Sequence, residues 1–317
     1  MHIVVLDGHT LNPGDLDWEP LTDLGDCTIH ERTAVHQIVD RCHGAEAVLT
    51  NKVPFSAKTL AALPDLRYIG VVATGYNIVD TEAARRLGIT VTNVPAYSTA
   101  SVAQTVFAHI LNISQRVDHY ARETRDGVWT AAPDFSYWNT PLVELAGKTL
   151  GIIGYGQIGR AVGNLGHAFG MQVIAASRSP IRQCPDWLKQ VTIDYTFSNA
   201  DFLSLHCPLT PDTEGLVNTR RLGMMKRSAV LINTGRGPLV DETALAAALR
   251  HGKLAAAGLD VLSSEPPSAD NPLLEVANCY ITPHQGWATR EARIRLYDTV
   301  VANLRAWKAS KAQNVVS

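Results

Sequence analysis

The chain has 317 residues, 46% of them hydrophobic and 18% charged, and a formal net charge of -2. That length accommodates one large domain or two ordinary ones with a sizeable core. The near-neutral charge excludes a broad electrostatic grip on nucleic acid or on an anionic membrane, though a local arginine or lysine is enough for a small anionic ligand. The cysteines (Cys27, Cys42, Cys184, Cys207, Cys279) are odd in number and lack C-x-x-C spacing. Idle thiols in a reducing compartment fit that pattern better than a disulfide framework or a zinc site, so no metal is expected. The start MHIVVLDGHT carries no basic leader and meets Asp7 early, so it reads as a strand rather than a signal peptide. No run approaches the roughly 18 apolar residues of a membrane span, and the expected location is cytoplasmic.

In chain order, short apolar runs alternate with helical patterns, the mark of an α/β architecture with parallel sheets. Strands are predicted at Ile3–Leu6, Ala47–Thr50, Tyr68–Ala73 and Thr90–Asn93, with helical stretches such as Phe55–Leu63 and Thr81–Leu87 between them. Gly88 stands where a helix C-terminal glycine belongs. A long helix is predicted over Thr99–Arg125, its apolar stripe running through Val102, Val106, His109–Ile110 and Ile113. From Lys148 a second series begins: GKTLGIIG, MQVIAAS, ADFLSLH, SAVLINT, AAAGLDV and CYITPH. These match the strands of a doubly wound dinucleotide-binding domain, and the tail Thr289–Lys308 is again helical. A split near 145 into consecutive domains leaves the long helix and the C-terminal helix without a role. The preferred division therefore inserts one α/β unit, residues 99–286, into another made of residues 1–98 and 287–317.

The stretch LGIIGYGQIGR carries G-x-G-x-x-G at Gly154, Gly156 and Gly159. Alone the pattern is weak, but here it follows an apolar strand and opens a helix from Gln157 to about Phe169. Gly154 suits the tight turn, Gly156 lets the backbone approach a pyrophosphate, and Gly159 lets helix and sheet pack closely. The phosphates then face the positive helix end. At the end of the next strand, where NAD enzymes commonly place an acid for the ribose hydroxyl, this chain has Ser177 followed by Arg178 and Ser179. Hydroxyls and a guanidinium suit a 2′-phosphate, so NADP(H) is favoured over NAD(H). The plainer reading, Arg178 as a solvated cation over the adenine with relaxed specificity, stays open.

Arg236 follows the strand Val230–Asn233, Glu265 follows Gly258–Leu262, and His284 follows Tyr280–Thr282. All three are expected at the carboxyl edge of one parallel sheet, where open α/β folds bind ligands. Arginine can hold a 2-keto acid carboxylate through a forked pair of hydrogen bonds, and histidine can deliver a proton near neutrality. A carboxylate beside the imidazole favours its charged form and fixes the ring. Each residue alone has a structural explanation; their joint placement after successive strands argues for catalysis.

Along almost its whole length the chain resembles the D-isomer-specific 2-hydroxyacid dehydrogenases. The segments GYGQIG, SLHCPLTPDTEGLVN, MKRSAVLINTGRGPLVDETAL, GLDVLSSEPP and ITPHQGWAT carry the resemblance. It implies an α/β fold with a Rossmann dinucleotide-binding domain inserted into a flavodoxin-like substrate domain, and a cleft between the two. It implies substrate binding by Arg236, acid-base work by His284 and partnership by Glu265. Gln157 and Ile158 are then expected at the cofactor phosphates, and Ser177 and Arg178 at the adenosine ribose. Cys207, Pro208 and Thr213 line the cofactor cleft, Cys207 as a backbone contact rather than a nucleophile. Thr234 and Arg236 flank the nicotinamide ribose, Asp260 bonds the carboxamide, and Gly286 follows the histidine into the crossover.

In VVATGYNIVD the resemblance points to Thr74, Gly75 and Tyr76 as holders of the substrate carboxylate. NKVP, HQGWAT and QNVV resemble the glycerate dehydrogenase (hydroxypyruvate reductase) branch. Lys52 of NKVP either favours a polar or anionic substrate or is an ordinary loop lysine; both readings stand. One departure is Gln104, where the family often has glutamate. The aromatic stretch PDFSYWNTP (Phe135, Tyr137, Trp138) implies a homodimer in which Trp138 or Phe135 reaches the neighbour's active site, against packing within its own subunit. The expected reaction is reduction of hydroxypyruvate or glyoxylate to D-glycerate or glycolate. A short phosphoglycerate dehydrogenase and a dinucleotide-sensing corepressor-like binding protein are the alternatives, whereas formate dehydrogenase is disfavoured because that enzyme places glutamine where Glu265 stands.

Overall fold

The short apolar runs form parallel strands, and two sheets result. The computed structural model describes residues 1–317. The chain divides into two compact units, Met1–Ser98 with Ala288–Ser317 and Thr99–Trp287.

In the first unit the strands are β1 (His2–Val5), β2 (Asp26–Ile29), β3 (Ala47–Thr50), β4 (Tyr68–Val71) and β5 (Thr90–Thr92). They lie in the order β2-β1-β3-β4-β5, every pair parallel, the flavodoxin-like order. β3 and β4 are buried along their whole length, as central strands covered on both faces must be. β2 escapes sequence reading because Asp26 and Thr28 interrupt any apolar run, and at the sheet edge its residues alternate between exposed and half-buried. The expected helix at Phe55–Leu63 is shorter, Ala57–Ala61, with Ser56 capping it through the Thr59 amide. Phe55 instead bridges Val79 and is 1% exposed.

The C-terminal helix Arg290–Lys308 begins at Thr289, whose side chain accepts from the Ala292 amide. It buries Leu296, Val300 and Leu304 and brings the Trp307 ring to 5.0 Å from Tyr68 of β4. Arg293 donates through both terminal nitrogens to Asp15 at 2.7 and 2.6 Å, a forked pair that ties this helix to the loop after β1.

The second unit holds β6 (Thr149–Ile153), β7 (Gln172–Ala176), β8 (Leu188–Gln190), β9 (Phe202–Leu205), β10 (Val230–Asn233), β11 (Ala256–Leu259) and β12 (Cys279–Ile281). Their order, β12-β11-β10-β9-β6-β7-β8, is the doubly wound Rossmann order with an added edge strand. Apolar clusters cover both faces of this sheet. β8 was not expected; it is three residues long and mostly exposed, too short to show a periodicity.

The predicted continuous helix Thr99–Arg125 is corrected by the structure to Thr99–Gln115 and Val117–Arg125. Arg116 between them sits in the left-handed region at φ 55°. Neither glycine nor proline marks the break. The cause is tertiary: the Arg116 guanidinium donates to the Tyr280 hydroxyl and lies over that ring. Beyond the break, Val117–Arg125 buries no residue.

Candidate active site

Parallel pairing sets the geometry of the second unit's ligand edge. Ile153 is in register with Ala176 and Leu205, Leu205 with Asn233, Asn233 with Leu259, and Leu259 with Ile281. The strands thus end in one row, and Gly154, Ser177, His206, Thr234, Asp260 and Thr282 stand next to each other just beyond it. Backbone bonds carry the ladder past the ends, from the Gly154 amide to Ala176 O at 2.8 Å and from the Asp260 amide to Asn233 O at 2.9 Å.

After β6 the glycine turn is built as its spacing implies. Gly154 adopts φ 94°, and a Cβ added there would lie 2.5 Å from the Cys207 amide nitrogen, so only glycine fits both the dihedral and the space. A Cβ on Gly159 would lie 2.2 Å from Gly154 O, the close helix–sheet approach expected of it. The helix Gln157–Ala168 has Gly156 as its N-cap and no side chain capping its first turn. The first-turn amides, Gln157 and Ile158 among them, therefore face outward at the positive helix end. A Cβ on Gly156 would meet nothing within 4 Å. Open space over a row of uncapped amides is what a pyrophosphate requires.

Thr234 gives a second sign of fit: it is 9% exposed, and its Oγ1 is buried without any hydrogen-bond partner. Buried hydroxyls are nearly always satisfied, and a ribose hydroxyl would satisfy this one. Ser177 is half-buried and Arg178 exposed immediately after β7. Nearby, Arg160 lies over the Tyr155 ring and donates to Arg182 O at 3.3 Å.

Thr213 donates to Pro208 O at 2.7 Å and accepts from the Thr210 amide at 2.8 Å, closing the turn that begins at Cys207. Burial pushes the Cys207 thiol upward, away from the thiolate a nucleophile needs.

Of the three expected catalytic residues, the structure joins two. His284 Nδ1 and Glu265 Oε2 are 2.6 Å apart, with the side chains 30% and 33% exposed. Glu265 Oε1 also accepts from the Leu262 amide at 3.1 Å, which fixes the carboxylate. An ionised carboxylate only accepts, so Nδ1 carries the hydrogen and Nε2 is left for a reacting atom. His284 has φ 51°, uncommon for a residue with a side chain. Arg236 follows β10 and is exposed; its guanidinium donates to Gly235 O at 2.8 Å rather than to either partner. Its backbone is held by Asn233, whose Nδ2 donates to Arg236 O at 2.9 Å. Asp260, 2% exposed, accepts from the Thr282 hydroxyl and from the Gln285 and Gly286 amides.

Within the first unit, the remaining candidates lie past the carboxyl ends of β3 and β4. Asp7 there accepts from the Asn51 amide at 2.9 Å and the Lys52 amide at 2.7 Å, pinning the loop that carries Lys52. Burial raises the Asp7 carboxyl, against the lowering pull of those amides. Thr74 donates to Val94 O at 2.8 Å; Gly75 is half-buried and Tyr76 is 41% exposed. Trp138 and Phe135 are 71% and 91% exposed, whereas Tyr137 donates to Glu123 of the same chain at 3.0 Å. No group of three or more His, Cys, Asp or Glu side chains is placed to hold a metal ion.

Sequence reading missed Asp7, used only to end the leading apolar run, and His206. The His206 ring bonds Ser204 at 2.8 Å beside the glycine turn, and burial pushes it down to about 4. The unfolded chain, with histidine near 6.5, takes up this proton first. His206 therefore costs no stability above pH 6.5, and stability falls as pH drops from 6.5 toward 4, by at most about 1.4 kcal/mol per pH unit. Thermal melts across that window are expected to show a shallower decline for His206→Gln; an unchanged slope would assign the acid sensitivity elsewhere.

Residues 107–286 match the family described as D-isomer specific 2-hydroxyacid dehydrogenase, NAD binding domain. The chain is 45% identical over 322 residues to a hydroxypyruvate reductase of Blautia hydrogenotrophica, covering 100% of both chains. It is 43% identical to a glycerate dehydrogenase of Methylorubrum extorquens, covering 88% of each. Among solved structures, an acyclic imino acid reductase in complex with NADPH and D-Arg superposes with a TM-score of 0.87 at 29% identity, covering 100% of both chains. An NAD complex of a D-isomer specific 2-hydroxyacid dehydrogenase from Lactobacillus delbrueckii ssp. bulgaricus reaches 0.80 at 25% identity, again over 100% of both.

Proposed function

The chain belongs to the D-isomer-specific 2-hydroxyacid dehydrogenase family, and from that premise we propose that it reduces hydroxypyruvate or glyoxylate to D-glycerate or glycolate. The observation that carries the reading is the 2.6 Å His284–Glu265 pair at the same sheet edge as the glycine turn. The names of the relatives support the substrate class: one is a hydroxypyruvate reductase and the other a glycerate dehydrogenase.

In this reading the backbone amides of Gly156, Gln157 and Ile158 hold the dinucleotide phosphates, and Thr234 meets the nicotinamide-side ribose. When bound there, a reduced nicotinamide would supply the hydride that the carbonyl carbon needs. His284 gives the proton from Nε2 to the carbonyl oxygen, so the carbonyl group gains the elements of H2 and becomes the alcohol. Glu265 holds Nδ1–H throughout, which keeps the ring aimed and stabilises the imidazolium before transfer. Arg236 leaves Gly235 O to hold the substrate carboxylate with its fork, and Lys52, Thr74, Gly75 and Tyr76 supply the contacts on the first unit. Replacing His284 by Asn is expected to lower kcat at least about 100-fold and leave NADPH affinity, read by fluorescence titration, within about twofold. An unchanged kcat would remove the proton role.

For the cofactor we infer a preference for NADPH, supported by Ser177 and Arg178 where an acid would repel a 2′-phosphate. A steady-state panel of glyoxylate, hydroxypyruvate, pyruvate and phenylpyruvate against both cofactors is expected to favour NADPH. Arg178→Ala is expected to weaken NADPH and spare NADH. A preference for NADH above about tenfold would overturn this assignment.

We also infer a homodimer in a reducing compartment, the cytoplasm. Free cysteines support the compartment, and the exposed Phe135 and Trp138 support the dimer. Trp138→Ala is expected to raise the KM for the keto acid in a dimer that sediments normally; a fully active monomer would end the proposal.

A further inference from the structure

The apolar stripe of the helix Thr99–Gln115 contains one ionisable side chain, His109, which is 5% exposed. Its seat is cut into the sheet: a Cβ added to Gly258 of β11 would lie 2.8 Å from His109 Cβ and Cγ. A larger residue at 258 would push the ring out, so the imidazole is accommodated rather than merely tolerated.

The ring's Nε2 lies 3.2 Å from Thr282 Oγ1. That hydroxyl donates its only hydrogen to Asp260 Oδ1 at 2.6 Å, so the hydrogen between ring and threonine must be the histidine's. The direction is therefore settled: His109 Nε2–H donates to Thr282, and Thr282 donates to Asp260. Burial outweighs the attraction of Asp260 and holds His109 below its ordinary value, which keeps the ring a neutral donor at neutral pH.

Asp260 passes the constraint on. Its Oδ1 accepts from the Gln285 amide at 2.9 Å and its Oδ2 from the Gly286 amide at 2.8 Å. These amides directly follow His284, whose φ of 51° is left-handed, a strained conformation that persists only where the surroundings enforce it. Gly286 is boxed in as well, since a Cβ there would lie 2.8 Å from Asp260 Oδ2, and Ser101 Oγ donates to its carbonyl.

We propose that His109 and Thr282 are positioning residues, a donor chain that orients Asp260 and thereby holds the left-handed turn that aims the His284 imidazole. The chain acts on the backbone just after His284, while Glu265 holds the ring through Nδ1. Its catalytic consequence rests on the proton role proposed for His284; its structural content does not.

The test compares His109→Leu, Thr282→Val and His109→Gln with the native enzyme and with His284→Asn. Thr282→Val keeps the shape and loses the hydroxyl, so it decides the matter if His109→Leu fails to fold. Glutamine returns an N–H donor at similar reach. With hydroxypyruvate and NADPH, His109→Leu and Thr282→Val are expected to lower kcat about tenfold, or about 1.4 kcal/mol, with cofactor affinity unchanged. His109→Gln is expected to recover to within about threefold, and the variant combining His109→Leu with Thr282→Val to be no worse than Thr282→Val alone. Hydrogen exchange at the Gln285 and Gly286 amides, which needs no turnover, is expected to quicken in the first two variants and not in His109→Gln. Unchanged exchange overturns the chain whatever the activity. Equal losses for leucine and glutamine also overturn it, leaving packing alone. If His284→Asn retains kcat while the exchange results hold, the proton role fails and the positioning chain stands.

Discussion

In-register parallel pairing of the second sheet is the constraint on which the site depends. Because Ile153, Ala176, Leu205, Asn233, Leu259 and Ile281 finish level with one another, residues far apart in the chain become neighbours at its carboxyl edge. A glycine turn, His206, a buried threonine, an aspartate and the approach to His284 occupy consecutive places along that edge. Slipping one strand by a residue would invert its side chains and scatter the constellation. Burial on both faces of the sheet, by the clusters around Leu231 and Ile232, is what makes such a slip costly.

Beyond the strand ends, carboxylates do the holding. Asp7 binds the amides of Asn51 and Lys52, Glu265 binds the Leu262 amide and His284, and Asp260 binds the amides of Gln285 and Gly286. In each case a short acid converts a free loop into a fixed one, and most bonds go to backbone, so the loop's own side chains stay available. The edge strand β12 shows why this matters. It has three residues, all only half-buried, and could not by itself hold a left-handed turn at His284. Orientation of a reacting group to a fraction of an ångström requires a supporting shell of this kind.

Much of this was legible in the chain. β3 coincides with the predicted Ala47–Thr50, and the runs around β6, β7, β9, β10 and β11 were recognised because buried central strands are continuously apolar. β2 and β8 were not, because Asp26 and Thr28 interrupt any apolar run in the one and the other is three residues long and mostly exposed. The helix break at Arg116 was invisible for another reason: it answers to Tyr280, distant in sequence. Arg236, Glu265 and His284 stood out by residue type after successive strands. His109, by contrast, was read as one more member of an apolar stripe, since periodicity records where a side chain faces and not what it donates to.

The sequence by itself determined the alternation of strands and helices, the glycine turn and the chain order of the chemical groups that follow the strands. These are local, depending on hydrophobic period, on the absence of a Cβ and on chain order. Only the tertiary structure decided that His284 Nδ1 meets Glu265 while Arg236 turns to Gly235, that Thr234 Oγ1 is buried without a partner, and that a histidine inside an apolar helix face supports the turn at His284 through Thr282 and Asp260. Those facts depend on distances between residues remote in the chain. Such distances are set by packing and register, which residue types alone do not encode.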